Sequence, residues 1–161
     1  MEFTMQDSPF WQYSLTVYSR PGVEPLLIML QDRYQADVNI LLCCAWLGSQ
    51  GQRISPEGLQ SLLDLALPWQ QQCVQPLRSV RRYLKGREDD HAFREQIKAI
   101  EVEAERRQQV LIAQQLQSLS VSSADPEVAL SDNLDLYGSL LSPASQGSLS
   151  PSLSQLAELI K

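Results

Sequence analysis

The stretch DVNILLCCAWLG, residues 37–48, constrains the fold more than any other part of the sequence. Nine of the ten residues between Asp37 and Gly48 are apolar. A helix that crosses a bilayer needs about 20 predominantly apolar residues, so the run is too short to span a membrane. Asp37 is a good N-cap and Gly48 begins a flexible turn, which together predict a helix. Because this helix is apolar nearly all round, we expect it at the centre of a bundle.

The other periodic segments are also helical, and no strand-like alternation persists for more than a few residues. Ser8-Pro9 and Ser55-Pro56 are typical helix starts, and RPGV at 20–23 predicts a break. We therefore predict an all-α fold with a compact bundle of about five helices over residues 8–86. Pro76 lies inside the fifth helix, where it removes a backbone hydrogen bond, and we expect a kink there.

A long sixth helix is predicted over residues 87–119. Its seam repeats at alternating steps of four and three residues, with two polar positions, which is a weak heptad pattern. We expect this helix to dock on the bundle or to mediate self-association with a second copy. The seam consists of Phe93, Ile97, Ile100, Ala104, Arg107, Leu111 and Gln114.

Residues 120–161 differ in composition, with eleven serines, five acids and Lys161 as the one base. Such a stretch buries little apolar surface, which predicts a flexible, disordered tail. Two apolar islands interrupt it, LDLYGSLL and LSQLAELI. In the second, one apolar stripe marks a candidate docking helix for a groove of a partner or of its own bundle, against the alternative of a fraying terminus. The stripe consists of Leu153, Leu156, Ala157 and Ile160.

The cysteines and the chain start both favour a cytoplasmic protein. Cys43, Cys44 and Cys73 are odd in number and have no CxxC spacing, so we interpret them as buried apolar residues rather than redox groups. The start MEFTMQDSPFWQYSL lacks the positive and apolar regions of a secretory signal.

Motifs for catalysis are mostly absent from the sequence. The single histidine, His91, lies in REDDHAFRE, where the acids complement the positive end of a helix and diverge too much to hold a metal. No Gly-rich phosphate loop or dinucleotide fingerprint is present. We therefore expect no metal and no cofactor, and a protein that is more an interaction module than an enzyme.

The segment PLRSVRRYLKGR, residues 76–87, carries a basic stripe. We weigh three interpretations: a solvated face with local acid partners, a docking surface for an acidic protein or the chain's own tail, and a nucleic-acid surface. The net charge of −6 disfavours nucleic acid. As a candidate interaction surface, this stripe comprises Arg78, Arg81, Arg82, Tyr83 and Lys85.

A family resemblance covers about residues 9–85. The residues that carry it, in order, are Phe10-Trp11, Ser14-Leu15, Tyr18, Pro21-Gly22-Val23, Leu30-Gln31-Asp32, Asp37-Val38-Asn39, Leu41-Leu42 and Trp46-Leu47. With these residues the chain resembles the proteobacterial family catalogued as domain of unknown function twenty-three-ninety. That resemblance implies a small all-helical cytoplasmic protein and brings no activity, cofactor or catalytic residue.

Asn39 is the exception in the apolar run, because a polar side chain in a buried helix must find partners. Asp32 and Arg33, at the end of the preceding helix, are the expected partners.

The sequence leaves two functional classes open. The favoured one is a non-enzymatic protein interaction or adaptor module; the alternative is a small-molecule binder or enzyme with a polar site around Asp32, Arg33, Asp37 and Asn39. A closed core favours the first and an open polar pocket the second.

Overall fold

The computed structural model describes residues 8–141 and 146–161. The all-α class expected from the sequence is confirmed. A π-helical turn, Gln70–Val74, and a 3-10 turn, Glu88–Asp90, connect neighbouring helices. The helices are α1 (Pro9–Tyr18), α2 (Val23–Tyr34), α3 (Val38–Ser49), α4 (Pro56–Trp69), α5 (Gln75–Leu84), α6 (His91–Leu116), α7 (Pro126–Leu141) and α8 (Gln146–Ile160).

The helix starts follow the capping residues of the sequence. The Ser8 hydroxyl accepts a hydrogen bond from the Trp11 amide, and the Ser55 hydroxyl accepts one from the Gly58 amide at 3.0 Å. Asp37 caps α3 through a 2.9 Å hydrogen bond from the Asn39 amide. Each cap pairs a backbone donor that the helix itself leaves free, so these boundaries are local properties of the sequence.

The segment from α4 to α5 departs from the prediction. Helix α4 continues through Pro68 to Trp69. The irregularity expected at Pro76 lies just before it, as the π-helical turn. A proline has no N–H to donate to the carbonyl one turn earlier, and a π turn at that point accommodates the missing bond.

Helix α3 lies at the centre of the fold, as predicted. It packs against α1, α2, α4 and α6, and most extensively against α7. Gly48 marks the closest approach of α3 and α7, since a Cβ atom there would lie 2.5 Å from the Cα of Leu130. No helix in residues 8–141 and 146–161 has both the length and the apolarity needed to cross a bilayer.

The C-terminal part is corrected by the structure. Residues 126–141 and 146–160, which we expected to be flexible, form α7 and α8. The reason is tertiary: the two apolar islands cover faces of α3 and α2 that the first five helices leave open. The buried apolar residues of α7 and α8 are Ala129, Leu130, Leu134, Tyr137, Leu149, Leu153, Leu156, Ala157 and Ile160.

The structure also contains a short antiparallel pair of strands that the sequence pattern did not predict. Strand β1 (Gln52–Ile54) pairs with β2 (Val121–Ser123), with Arg53 opposite Ser122. Asn133 of α7 holds the neighbourhood together: its amide nitrogen donates to the carbonyls of Cys44 and Gln52, and its oxygen accepts from the Ile54 amide. Three-residue strands carry no periodic signal of their own.

Candidate functional site

A cavity of about 460 Å³ lies between α1, α2, α3 and α6, beside the start of α5. Its walls are largely apolar, and one end carries a group of buried polar side chains. The lining consists of Trp11, Ser14, Leu15, Tyr18, Ser19, Glu24, Ile28, Gln31, Asp37, Val38, Asn39, Leu42, Gln70, Arg78, Lys98, Val102, Glu105, Gln108 and Gln109.

The polar end is an amide cluster, which we define as Ser14, Asp37, Asn39, Gln108 and Gln109. All five are buried. The Asn39 amide nitrogen donates to Gln108 Oε1 at 2.8 Å and to a backbone carbonyl of α6 at 3.1 Å. Gln108 Nε2 donates to Asp37 Oδ2 at 2.7 Å, and Gln109 Nε2 donates to Asn39 Oδ1 at 3.0 Å and to the Ser14 hydroxyl at 3.1 Å. The cluster therefore joins α1, α3 and α6.

Local structure explains why Asp37 and Asn39 face this cluster. Asp37 is the N-cap of α3, so its backbone is extended and its carboxylate turns back over the first helical turn. Its own backbone N–H donates to the Tyr137 hydroxyl at 2.8 Å. Asn39 follows in the first turn, and Gln108 and Gln109 are neighbours on α6.

One buried acceptor of the amide cluster is left without a partner. Gln109 is 3% exposed, and its Oε1 atom has no hydrogen-bond partner in the described part of the chain. A buried polar atom without a partner is rare, because its desolvation is not compensated. Gln109 lines the cavity, but its Oε1 atom is itself enclosed by the protein, so this oxygen is an internal feature of the amide cluster.

Burial also sets the protonation behaviour of the carboxyl groups at the cavity. Burial raises the pKa of Asp37 to about 6, although hydrogen bonds from Gln108 and from the Asn39 amide favour the charged form. Burial likewise raises the pKa of Glu105, while the nearby Arg78 opposes that shift. The cavity therefore has carboxyl groups that titrate closer to neutral pH than exposed ones.

Two residues of the basic stripe are paired inside the protein. Arg78 forms ion pairs with Glu101 at 3.2 Å and with Glu105 at 3.4 Å, and Arg81 also pairs with Glu101. Glu101 is 5% exposed, so these ion pairs are buried and connect α5 to α6. Of the three interpretations of the stripe, the one with local acid partners describes Arg78 and Arg81.

The rest of the basic stripe lies at the surface. Arg82 pairs with Asp32 at 3.0 Å, and both side chains are about half exposed. Tyr83 is 73% exposed, with the Arg87 guanidinium 5.7 Å from its ring centre. Lys85 is exposed as well. Only this surface portion remains available as the interaction surface predicted from the sequence.

The expected polar site around α2 and α3 is only half correct. The structure brings Asp37 and Asn39 together, but Asp32 and Arg33 lie outside the amide cluster. Asp32 pairs with Arg82 instead, and the Arg33 guanidinium lies 5.5 Å from the ring centre of Tyr34. The prediction that Asn39 bonds to Asp32 or Arg33 is therefore wrong, since its partners come from α6.

The partners on α6 were missed because its buried face is polar. Phe93 and Ile100 of the heptad pattern are 49% and 52% exposed, so they do not dock on the bundle, and self-association through them stays a prediction. The spacing of Glu101, Glu105, Gln108 and Gln109 does follow one side of a helix, so the signal was present. It was overlooked because polar residues at helical spacing usually indicate a solvated face.

The candidate docking helix belongs to the bundle itself. The four residues of its predicted stripe, Leu153, Leu156, Ala157 and Ile160, are buried in the core. Helix α8 packs against α7 and α2, and Arg20 donates hydrogen bonds to the carbonyl oxygens of Ile160 and Lys161. Of the two grooves considered, the one occupied here is in its own bundle.

The cysteines and acids offer little reactive chemistry. Burial raises the pKa of the Cys44 thiol to about 12 and raises that of Cys43 as well, so neither forms a reactive thiolate at neutral pH. Cys43 and Cys44 are buried as predicted, whereas Cys73 is half-buried. Within the described ranges, no three His, Cys, Asp or Glu side chains are grouped as metal ligands.

Comparison with known proteins places this cavity within a family. No curated protein and no solved structure matches the chain significantly. One family model matches residues 9–112, which is more than half of the chain and includes every residue that lines the cavity. Helices α7 and α8 lie beyond the matched range. The chain belongs to the family described as "Protein of unknown function (DUF2390)".

Proposed function

We propose that this protein binds a small molecule in the cavity beside the amide cluster. The cavity itself carries the proposal. Its volume of about 460 Å³ lies within the range of roughly 300 to 1,000 Å³ that is usual for ligand sites. Such sites combine apolar walls with a few placed polar groups, and this lining has that composition.

The accessibility of the cavity supports a binding role. Leu15, Tyr18 and Ile28 of its lining are exposed, so the cavity opens to solvent and a ligand can enter it. The amide cluster also holds its side chains in fixed positions before any ligand arrives, which lowers the entropic cost of binding.

The test is an NMR titration of the full chain with 2-phenylethanol, a small probe with an apolar body and one hydroxyl. We expect NMR shifts confined to amides around the cavity, including those of Ser14, Asn39 and Gln109. Val102→Phe should weaken the binding by occupying space in the cavity. Val128→Phe, at an exposed position of α7 outside the lining, should leave it unchanged. Probe shifts scattered over the surface, or none at all, would contradict the proposal.

A second candidate is a protein interaction module, which one observation favours. Large apolar side chains are exposed on both α5 and α6: Val80, Tyr83, Phe93 and Ile100. Exposed apolar groups on two helices that pack against each other, as α5 and α6 do, often mark binding surfaces. An adaptor role in the cytoplasm would place this surface against a protein partner, and the unpaired cysteines are in keeping with a reducing compartment.

The interaction candidate is tested with surface variants of the full chain, because a tail deletion would remove core helices. We expect Phe93→Ser together with Ile100→Ser to abolish capture of a partner, or self-association measured by sedimentation. Val128→Ser replaces an equally exposed residue elsewhere and serves as control. Unchanged capture and unchanged sedimentation in the double variant would exclude this surface.

A further inference from the structure

We infer that the ligand of this cavity is an uncharged molecule whose polar group is a carboxamide, recognised by the side-chain amide of Gln70. This inference rests on the proposed binding function and concerns the chemical class of the ligand. Three observations carry it: the free amide of Gln70 in the cavity wall, the hydrogen bonds that its polar neighbours have already made, and the balance of charges on the lining.

Gln70 is a buried polar residue whose side chain has no hydrogen-bond partner within residues 8–141 and 146–161. The residue is 6% exposed and lines the cavity. Unlike Gln109 Oε1, its amide atoms are not enclosed by the protein, so a molecule in the cavity can reach them. Such an amide gains most from a bound molecule that pairs with it, because burial limits its access to water.

Local structure explains how Gln70 comes to lie beside the amide cluster. It is the first residue of the π-helical turn, a geometry that recurs at functional sites. The Ala66 carbonyl accepts a hydrogen bond from the backbone N–H of Gln70 and another from the side chain of Gln108 at 3.2 Å. Trp69 anchors the same turn, because its Nε1 donates to the Ala104 carbonyl of α6 at 2.8 Å. The backbone that carries the Gln70 amide is therefore held against α6.

The amide cluster has no side-chain N–H donor left for a ligand. An amide nitrogen carries two N–H donors. Both are used within the protein in Asn39, Gln108 and Gln109. The Ser14 hydroxyl also donates to a backbone carbonyl of α1, at 2.9 Å. Among the buried amides that the structure describes in the lining, Gln70 is therefore the one that can still donate to a ligand.

The charges on the lining offset one another, so they do not favour an ionic ligand. Glu105 is paired with Arg78 at 3.4 Å. Glu24 and Lys98 are both exposed and carry opposite charges. The Asp37 carboxylate accepts its hydrogen bonds inside the amide cluster. An ion that entered the cavity would lose hydration, and these paired or exposed charges do not compensate that loss.

The chemistry of the Gln70 amide defines the polar group that matches it. Its oxygen accepts hydrogen bonds and its nitrogen donates them, side by side. A carboxamide presents the same two functions, so it can make both hydrogen bonds at once. A carboxylate only accepts and an ammonium only donates, so either would leave half of the Gln70 amide unpaired. Apolar side chains of the lining, including Leu15, Ile28 and Val102, bury the apolar body of the ligand.

The test compares three probes that share a 2-phenylethyl group: 3-phenylpropanamide, 2-phenylethanol and 3-phenylpropanoate. In calorimetric titration of the full chain, we expect the amide to bind about fivefold more tightly than the alcohol, because it makes one hydrogen bond more. The carboxylate, which has nearly the same shape as the amide, should bind more weakly than both. If the alcohol or the carboxylate binds as tightly as the amide, the inference is wrong while the binding function stands. If no probe binds, both are wrong.

A substitution of Gln70 separates its role from that of the cavity walls. Gln70→Met keeps the length of the side chain and removes the amide, so this variant should bind the amide and the alcohol equally. It should melt at the native temperature or above, because no hydrogen bond within the protein is lost. Gln71→Met makes the same change at the next, exposed position of the π-helical turn and should keep the native preference. A Gln70→Met chain that still prefers the amide, or that melts well below the native temperature, would overturn the assignment to Gln70.

Discussion

Helix α3 packs against two long helices in chemically opposite ways. Against α7 its contact is apolar and so close that Gly48 meets the backbone at Leu130. Against α6 it is polar, through Asp37, Asn39 and their glutamine partners. The apolar contact stabilises the fold without directional requirements, whereas the polar contact fixes side-chain positions and leaves the cavity beside it. One helix therefore supplies both the centre of the core and the polar end of the candidate site.

The largest expected effect comes from removing the apolar partner of α3 altogether. A chain that ends at residue 124 lacks α7 and α8 and exposes their contact faces on α3 and α2. We expect it to lose cooperative thermal unfolding in circular dichroism, although it contains the whole family-matched range, residues 9–112. A truncated chain that still melts cooperatively near the temperature of the full chain would show that the polar contact suffices.

A single substitution in α7 tests its packing on α3 with a smaller expected effect. Leu134 of α7 is 1% exposed, and Leu134→Ala should lower the free energy of unfolding by about 2 to 5 kcal/mol, because it leaves a cavity in the core. Leu140→Ala, at an exposed position on the same helix, should change it by less than about 1 kcal/mol. Urea denaturation measures both, and equal effects would contradict the described packing of α7.

The polar contact between α3 and α6 should make the free energy of unfolding depend on pH, through Asp37. Burial raises the pKa of Asp37 from 3.8 to about 6. Below pH 4 the group is protonated in both states, and between pH 4 and 6 it is ionised only in the unfolded chain. Its contribution to stability is therefore complete below the unfolded pKa and falls by roughly 3 kcal/mol as the pH rises through 6.

The measurement is the difference in unfolding free energy between the native chain and Asp37→Asn, followed from pH 4 to 7. Asparagine is also a good N-cap, so helix α3 keeps its start. Asp64→Asn makes the same change of charge at an exposed carboxylate and serves as control. A difference that stays constant with pH, or that grows in favour of aspartate as the pH rises, would show that burial does not raise the pKa of Asp37.

The smallest of these effects concerns one residue of the amide cluster. Asn39→Leu adds apolar surface to a buried position, yet it should lower the free energy of unfolding by about 1 to 3 kcal/mol, because Gln108 and Gln109 lose their partner. Thermal melts with Gln96→Leu as the exposed control test this. A melting temperature that is unchanged or raised would mean that the amide cluster does not require Asn39.

Much of the first half of the fold could be predicted because its signals are local. Ser8, Asp37 and Ser55 cap the helices they were expected to cap. The apolar run after Asp37 predicted the central helix, since a helix that is apolar all round has no other stable environment in water. Half of the candidate site could also be predicted from the sequence, because a polar Asn39 in a buried helix needs hydrogen-bond partners.

The sequence by itself determined the all-α class, the helix starts and the central position of α3, because capping and periodicity act within a few residues. Only the tertiary structure decided which surfaces meet. A serine-rich composition gave no sign that α7 would cover α3, because that stability comes from contacts between residues 79 to 89 positions apart in the sequence. The amides of Gln108 and Gln109 became buried for the same reason: Asp37 and Asn39, about 70 residues earlier, compensate their desolvation.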